Sequence, residues 1–102
     1  MEFARLVGQW LRPDRGYIVS IESVESDGKT SAAYYNPHPI HVARAEGHRD
    51  GRALQLFVEL QDVGYPGSYY RLTHDAATDQ LSGIYYQAAQ GVTYEVYFVR
   101  RQ

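Results

Sequence analysis

The sequence predicts an all-β domain: an eight-stranded antiparallel up-and-down barrel with a short N-terminal turn or helix. Three observations carry this. Turn chemistry recurs at short intervals along the whole chain. The segments between the turns alternate apolar and polar residues or are rich in aromatics. Helical spacing occurs only at the start, where Phe3, Leu6, Val7 and Trp10 share one face of a turn. So high a strand content is unusual for an open sheet and ordinary for a closed barrel. At 102 residues, with no linker, charge block or low-complexity tract, the chain reads as one domain over residues 1–102.

The first strand is Gly8–Leu11, after the N-terminal turn, and the second is Tyr17–Val24, where Tyr17, Val19 and Ile21 share a face. The third is Thr30–Asn36 and the fourth Ile40–Glu46. In the fourth, both Ile40/Val42 and His41/Ala43/Ala45 fit a buried face, and the pattern does not choose between them. The fifth, Ala53–Gln61, has Leu54, Leu56, Val58 and Leu60 on one side. The sixth is Ser68–His74, the seventh Leu81–Ala88 and the eighth Val92–Arg100. Even-numbered connections are polar turns: Glu25-Ser26-Asp27-Gly28, His48-Arg49-Asp50-Gly51 and Asp75-Ala76-Ala77-Thr78-Asp79. Odd-numbered ones carry Pro, His and Tyr, as in Asn36-Pro37-His38-Pro39 and Asp62-Val63-Gly64-Tyr65-Pro66-Gly67. In a meander these fall at opposite ends, so one rim is polar and the Pro-rich rim is the expected mouth. A weak internal repeat, Ser31–Asn36 against Ser82–Gln87, puts a Tyr-Tyr pair just before two of the mouth connections.

Composition excludes several functions. Without Cys there is no disulfide framework, thiolate metal site or thiol nucleophile. Ten Lys plus Arg against twelve Asp plus Glu give a formal charge of −2, so no electrostatic footprint for nucleic acid is present. No apolar run reaches the roughly 18 residues of a membrane span, and no signal-peptide core precedes the domain. The expectation is a soluble protein, cytoplasmic or, if a leader has been removed, periplasmic. His38 and His41, three apart on extended chain, point to opposite faces and suggest no metal site. Glu22, Glu59 and Glu95 project outward, with Arg44 and Arg71 as cross-strand charge partners on the same wall. No nucleophile elbow or phosphate loop is found, so neither an enzyme nor a cofactor is expected.

Gly8-Gln9-Trp10, then Tyr17-Ile18-Val19-Ser20-Ile21, the Asp27-Gly28 turn and a strand reaching Tyr34 resemble the first three strands of the avidin and streptavidin family, and more loosely the lipocalins. The resemblance covers about residues 6–36. It implies a barrel with Trp10 packed over the closed end and a ligand pocket at the other. Tyr34 lies where that family places a ligand-contacting Tyr, whereas its ligand-bonding Asn is Arg12 here. The later strands lack the Trp residues that enclose biotin, so the resemblance implies the fold and not biotin binding. Leu6-Val7-Gly8-Gln9-Trp10 also resembles the start of short bacterial metalloprotease inhibitors, which carry a disulfide that this chain lacks.

The register that the resemblance implies turns Tyr34 and Tyr85 inward; with Tyr17, Tyr70 and Tyr94 they converge near the Pro-rich rim, with Asn36 and Gln87 at its lip and Pro37, His38 and Tyr65 on its loops. These are the candidate ligand-binding residues. A buried Tyr hydroxyl needs a partner, so the same set serves either a small molecule or a filled core. The expected function is a non-enzymatic binding module for a small molecule at this rim. The alternative is a protein-interaction module, docking through rim loops or the N-terminal segment as a protease inhibitor does. On the outside, Phe57, Tyr69, Tyr86 and Tyr97 lie on the fifth to eighth strands and predict a homodimer interface.

Overall fold

The computed structural model describes residues 2–101, the side chain of Glu2 excepted. A 3₁₀ turn over Glu2–Leu6 precedes nine strands: β1 Gly8–Arg12, β2 Tyr17–Val24, β3 Thr30–Tyr35, β4 Pro39–Ile40, β5 Val42–Asp50, β6 Ala53–Asp62, β7 Tyr65–Asp75, β8 Gln80–Gln87 and β9 Val92–Arg100. All neighbours are antiparallel, in the order β4-β3-β2-β1-β9-β8-β7-β6-β5. The sheet curls into a nearly closed barrel. Its seam lies between β3 and β5, where the isolated bridge Lys29↔Glu46 and the bond from Gly47 N to Gly28 O at 2.7 Å join the walls.

Nine strands replace the eight expected because the predicted fourth strand is two. Its first part, β4, pairs with β3, and β5 pairs with β6. Between them the His41 N–H bonds the Asp62 carboxylate at 2.9 Å and the His41 carbonyl accepts from Gln61 N at 3.0 Å. A bulge at Ala43, between the pairs Val42↔Leu60 and Arg44↔Glu59, then shifts the inward phase by one residue. Ile40 and Val42 pack on the core before it, and Ala45 is buried after it. His41 and Ala43 are exposed. Both faces that the sequence left open are therefore used, in succession. A second bulge, at Glu22, lets Val24 turn inward after Val19 and Ile21.

The predicted sixth strand begins earlier than Ser68. Val63-Gly64 is a two-residue turn with Gly64 at φ 83°, so β6 and β7 run out past the rim as a hairpin. Asn36 and Ala88 fall just beyond β3 and β8.

The polar-turn end is stoppered. Trp10 is fully buried, and its indole N–H donates to the Leu6 carbonyl at 2.9 Å. The Arg100 guanidinium lies over the Trp10 ring at 4.3 Å and donates to the Val7 and Arg5 carbonyls, each at 2.7 Å. It also pairs with Asp79 at 2.7 Å, whose carboxylate contacts His74 Nε2 at 2.9 Å. These bonds hold Asp79 down at about 2, Arg100 being the larger cause and His74 the smaller. Leu54, Leu56, Val58 and Leu60 all face in with Leu72, Leu81 and Phe98, as the period-2 pattern requires. The internal repeat has a packing reason: Tyr34 and Tyr85 are buried inside, while Tyr35 and Tyr86 lie on the outer face.

Candidate functional site: the Pro-rich rim

β1 enters the barrel with Trp10 inward, and two residues on, at the same parity, Arg12 also turns inward. Only 6% of Arg12 is exposed. Its Nη1 donates to the Tyr70 hydroxyl at 3.0 Å, and Nε and Nη2 form a fork on the two oxygens of Asp14 at 2.9 and 3.1 Å. The guanidinium lies 5.5 Å from the Tyr17 ring and 5.8 Å from the Tyr85 ring. Burial alone would lower its pKa; the bonds from Asp14 and Tyr70 outweigh that and leave it raised.

Below Arg12 the interior is filled. The Tyr70 hydroxyl meets the Tyr34 hydroxyl at 2.9 Å, and the Tyr70 ring packs on Tyr34, Tyr85 and Phe98. Tyr34 and Tyr70 are 1% and 0% exposed. Burial pushes the Tyr70 phenol up to about 12, against the opposing pull of Tyr34 and Arg12, and pushes Tyr34 well above the ordinary tyrosine range. Among the described residues no buried side-chain polar atom lacks a partner.

The rim connections are tied to one another by side chains. Asn36 Nδ2 donates to the Tyr65 hydroxyl, joining the β3–β4 turn to the β6–β7 hairpin. The two Asp62 oxygens accept from His41 N and Val63 N. Buried Ser68 accepts from Ala88 N at 3.0 Å, tying the β8–β9 turn to β7. Arg12 to Tyr70 adds the β1–β2 turn.

Above Arg12 opens a cleft of about 300 Å³, lined by Arg12, Asp14, Arg15, Tyr17, Tyr85, Gln87, Tyr94 and Glu95. The predicted residues thus divide. Tyr17, Tyr85, Gln87 and Tyr94 line the cleft; Tyr34 and Tyr70 lie beneath it; Asn36 and Tyr65 brace the opposite lip, with Pro37 and His38 exposed beside them. Tyr94 shares the inward parity of Val96 and Phe98 but stands so near the rim that it is 42% exposed. Arg12, Asp14 and Ser68 were not among the sequence candidates. The parity of Arg12 with Trp10 and of Ser68 with Tyr70 was the available signal; Asp14, on the turn, offered none.

On the outer wall, Tyr69 stacks on Phe57 diagonally across β6–β7 and on Tyr86 directly across β7–β8, a ladder with centroids 5.5 and 5.3 Å apart. Tyr97, opposite Ser82, lies two rows from Tyr86, with the Ile84–Glu95 pair between them. Arg71 stacks over Phe57 and Tyr69 at 5.7 and 5.5 Å rather than facing a cross-strand carboxylate; Arg44, opposite Glu59, lies over Phe57 at 4.9 Å and 3.8 Å from Glu46. A larger open groove of about 800 Å³ runs beside the ladder along the seam, lined by Lys29, Thr30, Ala45, Glu46 and Phe57 among others. Among the described residues no three His, Asp or Glu side chains gather as metal ligands, and no helix is long and apolar enough to cross a membrane. Comparison of the chain with protein-family models, with curated proteins and with solved structures finds no match, so the barrel topology and the rim geometry are what bear on function.

Proposed function

We propose that the protein is a non-enzymatic binding module whose rim cleft takes a small aromatic carboxylate. The observation that carries this reading is the Arg12 guanidinium, a buried fork whose outer edge is occupied by a carboxylate from the chain itself. Asp14 sits on the exposed β1–β2 turn with its side chain 58% accessible, so it can leave Arg12 while the strands stay in place. A ligand carboxylate would take the same two bonds, since the planar fork matches that group. Its ring would lie among Tyr17, Tyr85 and Tyr94, with the Gln87 amide beside it. The cleft is at the small end of ligand sites, which suits a single ring and not a long chain. The filled interior confines the ligand to the rim.

The internal carboxylate gives the reading its test. Benzoate, cyclohexanecarboxylate and inorganic phosphate would be titrated into the protein while the Arg12 Nε–H resonance is followed. Benzoate is expected to bind best, and Asp14→Ala to tighten it about tenfold by removing the competitor, a gain of about 1.4 kcal/mol. Equal affinity in Asp14→Ala and the parent, or no preference for the planar ring, overturns the proposal.

A further inference from the structure

The outer wall carries two parallel cross-strand rows. One runs Arg44, Glu59, Tyr69, Tyr86 over β5–β8, and the next runs Glu46, Phe57, Arg71, Ile84 over the same strands. The rows are complementary to each other at three of their four positions. Arg44 in one corresponds to Glu46 in the other, Tyr69 to Arg71 and Tyr86 to Ile84. Glu59 corresponds to Phe57, whose ring is already flanked by Arg44 and Arg71.

We propose that this face binds a second copy of the chain about a two-fold axis that crosses the strands between the two rows. Such an axis lays each row of one copy on the other row of its partner. The phenol of Tyr69 meets the guanidinium of Arg71, Tyr86 packs on Ile84, and Arg44 pairs with Glu46, each contact made twice. The other apolar row, Val99, Leu11, Ile18 and Tyr35 on β9, β1, β2 and β3, contains no charged residue to fix a partner's orientation. A formal charge of −2 leaves little long-range repulsion between copies. Four strands span about 14 Å at the usual spacing, a small interface, so association in the micromolar range is expected.

Charge exchange tests this through the partner. Sedimentation velocity from low to high micromolar concentration is expected to show a reversible dimer. Arg44→Glu alone sets a carboxylate at position 44 against Glu46 of the other copy, and Glu46→Arg alone places two guanidinium groups together. Each variant is therefore expected to dissociate about tenfold or more readily. A mixture of the two variants restores an opposite charge at both contacts, and is expected to dimerise like the parent chain. Within either variant chain positions 44 and 46 have like charge, so recovery on mixing cannot come from an internal pair. A parent chain that stays monomeric at high micromolar concentration overturns the proposal. So does a dimer that ignores both substitutions and dissolves on Ile18→Glu, or a mixture that remains monomeric.

Discussion

Replacing Tyr70 by Phe removes one oxygen from the centre of the barrel and keeps the ring that packs on Tyr34, Tyr85 and Phe98. Two bonds disappear, one from the Arg12 guanidinium and one with the Tyr34 hydroxyl. The first is charge-assisted and worth about 1.5–3 kcal/mol; the second, between neutral groups, is worth about 1 kcal/mol. Neither site is open to water, because Tyr34, Tyr70 and Arg12 are all buried. Relaxation recovers part of the sum, and the expected loss is about 2–3 kcal/mol, or about 10–20 °C in Tm for a domain of this size. Tyr34→Phe removes only the neutral bond and is expected to cost about 1 kcal/mol. In the double variant the Tyr34 bond is lost only once, so the two effects should fall short of additivity by about 0.5–1 kcal/mol. Urea unfolding followed by circular dichroism measures all three. Losses below about 0.5 kcal/mol for Tyr70→Phe, or strict additivity, would refute the argument that the tyrosines and Arg12 form one buried network.

Trp10→Ala should destabilise by about 3–5 kcal/mol, since it empties the stopper and strips the cover from Arg100 and Leu6; a loss below about 1 kcal/mol in calorimetry would count against the packing described. Gly83→Ala should cost about 3 kcal/mol, because the new Cβ would lie 2.0 Å from the Arg71 carbonyl oxygen and 3.1 Å from Leu72 Cα, backbone atoms that can yield only by opening the β7–β8 ladder. Unchanged stability there would show that the ladder flexes. The raised phenol of Tyr70 sets an alkaline limit: its neutral form is favoured in the folded state, so that stability is intact below pH 10, the unfolded value, and is lost as pH rises through about 12. The difference between those values corresponds to about 3 kcal/mol, and Tyr70→Phe should make the curve less steep over that window when folding is followed against pH, the raised Tyr34 still contributing.

The strand plan was legible wherever the period was unbroken. Leu54, Leu56, Val58 and Leu60 alternate without interruption, and β6 faces as that pattern requires. β5 was not legible, because the bulge at Ala43 changes the inward phase midway and no single alternation describes it. The seam is a tertiary feature too, set by the closeness of Gly28 to Gly47, where a Cβ on Gly28 would lie 2.2 Å from the Gly47 carbonyl oxygen. At the rim the tyrosines were visible as a set, but their division was not. Whether an inward Tyr is core or lip depends on its height along the barrel, which separates Tyr70 from Tyr94. Arg12 was hidden because a guanidinium is ordinarily a surface group, and its partner Tyr70 lies 58 residues away.

The guanidinium of Arg12 is therefore where the account is most directly tested. NMR of the arginine Nε–H and Nη groups in the ligand-free protein reports both its burial and its partners. The account predicts one slowly exchanging Arg12 set with restricted rotation, close to the Tyr17 and Tyr85 rings, that loses its Asp14 coupling and shifts when benzoate is added. An Arg12 signal that rotates and exchanges as freely as those of exposed Arg15 and Arg101, with or without benzoate, would contradict it.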